Sequence, residues 1–193
     1  MGFLDTWSPG SAAYYNYFGA AAGEVGKGYY SYDVGAWHVV VLNSTISTAA
    51  GSAQELWLKA DLAASTKRCT VAMFHHPLFS SAGNSTTAVK PLWDDLYVAG
   101  AEIILNAHAE VYERFAPQTP TGARNDAAGI REFIVGTGGD GTSSFGSTVA
   151  NSEVRSTGTY GVLRLTLAPA GFSWKFIPVA GKTFTDSGIG TCH

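Results

Sequence analysis

Three short, nearly unbroken apolar runs constrain this chain most: WHVVVL (37–42), CTVAMF (69–74) and AEIILNA (101–107). Each is too short for a buried helix and long enough for a strand covered on both faces. Helix-patterned segments lie between them. In SAQELWLKADLAAS (52–65), Ser52 and Glu55 have the spacing of a capping box, and Leu56, Trp57, Leu58 and Leu62 supply an apolar side. In AVKPLWDDLYVAG (88–100), Pro91 suits a helix start and Gly100 a helix stop. Strands separated by helices point to parallel neighbours in one sheet. GYYSYDVG precedes the first run across a turn at Gly35, while EVYERFAP and GIREFIVG read as further strands. TYGVLRLTLAPAGFSWKFIPVAG reads as a hairpin with APAG at its tip, and 116–129 as a loop. The expected order is ββαβαββ followed by more strands: an α/β protein with a mixed sheet. No internal repeat or linker divides it, so residues 1–193 read as one domain.

The 193 residues are 46% apolar and only 14% charged, with a net charge of −3. That balance gives no electrostatic attraction to nucleic acid or to an anionic membrane. No apolar run approaches the roughly 18 residues of a membrane span. MGFLDTWSPG has neither the basic nor the apolar region of a signal peptide. Cys69 and Cys192 admit two readings, a disulfide tying the tail to the core in an oxidising compartment, or two free thiols.

Chemistry concentrates in the histidines. His38 lies inside a strand, where a hydrogen-bonded core residue is the expected state, and His193 reads as solvated. His75–His76 and His108 each follow a buried-looking strand directly. Ligands gather at the carboxyl ends of strands in open α/β sheets, so two adjacent parallel strands would bring His75 and His108 together. Imidazoles within reach of one another suit a borderline metal such as zinc. Histidines that only hydrogen-bond loop backbone are the alternative.

GKGYYSYDVGAWHVVVLNS, CTVAMFHHPLFSSAG and ILNAHAEVYERFAP, in this order, resemble the calcineurin-like metallophosphoesterases, in the bacterial branch related to purple acid phosphatases. The resemblance runs to PVAGKTFTDSGIGTCH. It implies a sandwich of mixed sheets flanked by helices, here the C-terminal half of an αββα fold. It also implies phosphate-ester hydrolysis at a pair of metal ions about 3.5–4 Å apart. Two departures stand out. The three early blocks of metal-binding residues have no counterpart, and the Gly-His-x-His segment appears as Ala107-His108-Ala109-Glu110. Residue by residue, the resemblance makes His75 and His108 metal ligands, with Glu110 in place of the second histidine. His76 faces substrate as a candidate proton donor, and Tyr112, Glu113 and Arg114 are structural, Arg114 pairing with a buried carboxylate or carbonyl. The catalytic set is then His75, His76, His108 and Glu110, and the metal set His75, His108 and Glu110. The cofactor is a divalent metal (Zn, Mn, Fe or Mg), with a single ion as the reduced case.

The partners this implies are a small-molecule phosphate ester, no nucleic acid and no membrane. An apolar sheet face left open by the absent half would favour a homodimer. The resemblance places such a protein outside the cell or in the periplasm. Two rival readings remain. One is a catalytically silent scaffold. The other is a hydrolase using a carboxylate pair, Glu110 with Glu113 or Asp33. GTGGDGTSSFG (136–146) lacks the Lys-Ser/Thr of a phosphate-binding P-loop and opens no helix.

Overall fold

A computed structural model describes residues 12–193. The helices are α1 (Ala12–Phe18), α2 (Ala53–Ala64) and α3 (Lys90–Val98). The strands are β1 (Tyr30–Val34), β2 (Trp37–Val41), β3 (Cys69–Met73), β4 (Ile103–Asn106), β5 (Tyr112–Phe115), β6 (Arg131–Val135), β7 (Ser152–Ser156), β8 (Gly161–Ala168), β9 (Gly171–Pro178) and β10 (Ser187–Thr191). They form a seven-stranded sheet ordered β1-β2-β3-β4-β6-β5-β7 and a three-stranded sheet ordered β10-β9-β8. β2, β3, β4 and β6 are parallel neighbours, while β1, β5 and β7 pair antiparallel. The large sheet is therefore mixed, and the chain is an α/β protein with a second sheet, as the sequence implied.

The expected helix signals act locally. Ser52 Oγ accepts the Glu55 N–H at 3.3 Å, and Glu55 Oε2 reaches back to the Gly51 N–H at 3.0 Å. Pro91 sits in the first turn of α3, where no N–H is needed. All five residues of β2 are buried. Val40 and Leu42, with Ala72 and Ile104, face Leu58 of α2 and Leu92, Trp93 and Leu96 of α3. Trp37, Val39, Val71 and Ile103 pack on the other side with Phe172, Trp174 and Phe176 of β9.

On this face of the large sheet the second layer, β8–β10, packs from within the chain. The Cys69–Cys192 disulfide, with Cα atoms 5.5 Å apart, ties the covering sheet to the start of β3.

β7 and β10 were not legible in the sequence. β10, SGIGT, owes its form to close approach: a Cβ at Gly188 or Gly190 would stand 2.3 Å from a ring atom of Trp174 or Phe172. Glycine lowers strand propensity but lets those rings slide beneath the backbone.

Candidate metal centre

β3 and β4 are parallel neighbours, and their pairing persists past their ends. The Phe74 N–H donates to the Leu105 carbonyl at 3.1 Å, and the Ala107 N–H to the His75 carbonyl at 3.0 Å. Asn106, buried, donates from Nδ2 to the Phe74 carbonyl at 2.8 Å and the His76 carbonyl at 3.3 Å. The two chains therefore leave the sheet in register, one carrying His75 and His76, the other His108.

His108 has φ of 62°, in the left-handed region. The Ala109 N–H donates to the Ala107 carbonyl at 2.7 Å, so His108 is the centre of a three-residue turn of the strained hand. Non-glycine residues are held in this way mostly where the surroundings over-determine them. Gly136, at the end of β6, is one cause: a Cβ there would lie 1.9 Å from the Ala109 carbonyl oxygen. Only glycine lets the turn sit against β6.

The three rings converge. His75 Nε2 lies 3.0 Å from His108 Nδ1, and ring centroids are 4.9, 4.9 and 4.4 Å apart for the pairs 75–76, 75–108 and 76–108. One nitrogen from each lies within 4.8 Å of the others. Ser44, in the turn that follows β2, accepts the His76 backbone N–H at 3.0 Å and places its Oγ 2.9 Å from His76 Nδ1. Desolvation first, then the charges of His76 and His108, pushes His75 down to about 4. Desolvation and His108 likewise lower His76. Both imidazoles are neutral near pH 7, the form that ligates metal. Two nitrogens on a tetrahedral zinc stand roughly 3.3 Å apart at Zn–N distances of about 2.0–2.1 Å. The 3.0 Å between His75 and His108 is near that value, so the donor set fits such an ion.

The residues singled out in the sequence are placed as follows. His75, His76 and His108 come together. Glu110 lies outside their group: its Oε2 accepts from Ser143 Oγ at 2.6 Å and its carbonyl from the Ser143 N–H at 3.1 Å. Its charge nevertheless favours protonated His75. Glu113 is fully buried, accepting from the Ser81 N–H, Ser81 Oγ and Ser152 Oγ. Asp33 pairs with His38 at 2.9 Å, and Asp61 holds the other ring nitrogen at 2.8 Å, so His38 is a hydrogen-bonded core residue. Glu113 and Asp33 thus have partners other than Glu110. Tyr112 and Arg114 both bond Asp186, at 2.7 Å each, and serve packing between the sheets. Ser44, Ser81 and Ser143 were missed, because hydroxyls that bridge distant segments leave no period in a sequence.

Helix-backed parallel strands thus end in a histidine cluster, with a smaller sheet packed on the other face. The chain is similar to the structure of a purple acid phosphatase, PPD1, from yellow lupin (Lupinus luteus) seeds, with a TM-score of 0.79 at 18% identity, covering 88% of this chain and 34% of that one. It is also similar to GAP50, the anchor in the inner membrane complex of Plasmodium (TM-score 0.63, 14% identity, 82% and 52% covered). For PhoD the TM-score is 0.56 at 14% identity, with 87% and 41% covered. In sequence it is 30% identical over 122 residues to purple acid phosphatase 18 of Arabidopsis thaliana, 58% of this chain and 27% of that protein. Purple acid phosphatase 21 of the same plant is 32% identical over 119 residues, again 58% and 27%. No protein-family model matches the chain. The chain thus spans about a quarter of the length of these Arabidopsis relatives, and it is similar to purple acid phosphatases in sequence over 58% of its length and in fold.

Proposed function

We propose that this protein is a metal-dependent hydrolase of small phosphate esters with a reduced site. The observation that supports this reading is the convergence of His75, His76 and His108 at the ends of two parallel strands. His75 and His108 are the first two ligands and His76 the third, with Ser44 Oγ 2.9 Å from its Nδ1 to orient the ring. Glu110 stands beside them as an outer carboxylate held by Ser143. A divalent ion there, Zn, Mn, Fe or Mg, supplies Lewis-acid polarisation of a phosphoryl oxygen. Aryl phosphates, with good leaving groups, are the substrates such a reduced site tolerates best. The disulfide suits an oxidising compartment, so secretion or the periplasm is part of the reading.

The test is elemental mass spectrometry on the purified protein and on His108→Ala, with p-nitrophenyl phosphate hydrolysis measured alongside. About one metal per chain, lost in the variant together with hydrolysis, is the expected result for a three-histidine site. A chain that takes up neither Zn²⁺ nor Mn²⁺ would instead be a scaffold.

A further inference from the structure

Two fully buried carboxylates lie beneath the loop that leaves β3 through His75 and His76. Glu132 of β6 accepts the Leu78 N–H at 3.2 Å. Glu113 of β5 accepts the Ser81 N–H at 2.9 Å, Ser81 Oγ at 2.5 Å and Ser152 Oγ of β7 at 2.6 Å. Ser81 carries the connection onward, since its carbonyl accepts the Gly146 N–H at 2.7 Å and its Oγ the Val149 N–H at 3.1 Å. The same glycine-rich segment bonds Glu110 through Ser143. One carboxylate therefore connects β5, β7, the loop after the two histidines and the segment that holds Glu110. No salt bridge to Glu113 is present among the described residues, so hydrogen-bond donors alone compensate its burial.

We infer that Glu113 is a positioning residue: by fixing Ser81 it sets where the loop holds His75 and His76 relative to His108. This rests on the proposed function for the claim that those histidines hold a metal. Glutamine at this position keeps one oxygen for the Ser81 N–H but turns an NH₂ group toward the Ser81 and Ser152 hydroxyls, which must then accept instead of donate to a carboxylate, so Glu113→Gln weakens the hold on the loop with little change in side-chain size. A carboxylate that only fills the core would affect stability and leave the histidines where they are.

The experiment compares wild type with Glu113→Gln and Ser81→Ala in two readouts. The first is long-range ¹H–¹⁵N NMR of the imidazoles in metal-free protein. The second is Co²⁺ titration followed by the d–d absorption spectrum. Both variants should shift the His75 and His76 resonances, leave those of His38 in place, weaken Co²⁺ binding by about 10–100-fold and change its spectrum. Folded variants with unchanged His75 and His76 resonances and wild-type Co²⁺ affinity would overturn the inference. If wild type takes up no Co²⁺, the metal reading fails and the imidazole comparison alone decides the positioning role. If Glu113→Gln does not fold, Ser81→Ala decides, because it leaves the carboxylate and the backbone bond in place.

Discussion

Glu102 makes the stability of this fold depend on pH in a way that its surroundings allow to be worked out. It stands just before β4, 3% exposed, with Oε2 accepting the Thr70 N–H at 2.6 Å. Desolvation dominates over the backbone N–H groups that favour the ionised form, and the carboxyl is pushed up from 4.5 to about 7. That difference, about 2.5 pH units at about 1.36 kcal/mol each, corresponds to about 3 kcal/mol. An unfolded chain releases this proton near 4.5, the folded one near 7. Between the two the native state holds the extra proton, so stability falls as pH rises through the window, and the loss is complete above it. Glu102→Gln cannot ionise. Urea unfolding of both proteins across the pH range isolates the group, because every other titration cancels in the difference. The variant should gain about 2–3 kcal/mol on wild type between about pH 4.5 and about pH 8.5, on top of any constant offset. A difference that stays flat, or runs the other way, would refute the assignment of burial as the dominant influence.

Two further outcomes follow from covalent and steric features. Replacing both cysteines by serine removes a cross-link between residues 123 apart, and the chain-entropy relation gives a destabilisation of about 4.9 kcal/mol, measurable by the same unfolding assay; a loss below about 1 kcal/mol would contradict that account. Gly136→Ala places a Cβ against the Ala109 carbonyl, so it should destabilise by about 2 kcal/mol or more and, because the displaced turn carries His108, weaken Zn²⁺ binding in calorimetry.

The central strands and the meeting of His75 with His108 were legible because each rests on a local signal. A run of apolar residues marks a buried strand, and a histidine directly after it lands at that strand's carboxyl end. β10 was hidden because its glycines are chosen for the rings beneath them. β7, SEVRS, has no apolar run: Glu153 there serves Arg114 and Arg131. The nearness of His76 to the other two rings depends on the loop after β3, and the course of that loop is set by Glu113 and Glu132, far away in sequence. The same limit applies to Arg114. A buried carboxylate or carbonyl partner was expected, but Asp186 lies 72 residues further on, and only the packing of one sheet on the other brings them together.

The disulfide also gives assembly an order in time. Cys69 emerges 123 residues before its partner. Once β6 is complete at Val135, the parallel strands that end in the histidines have their helices and neighbours, whereas Phe172 and Trp174, which cover the opposite face, have yet to be made. Closing the bond therefore certifies that the second sheet has arrived. An oxidant that captured Cys69 early would leave an adduct at a position with no exposed surface in the finished fold, stalling a nearly finished chain with its histidine end built and its back uncovered.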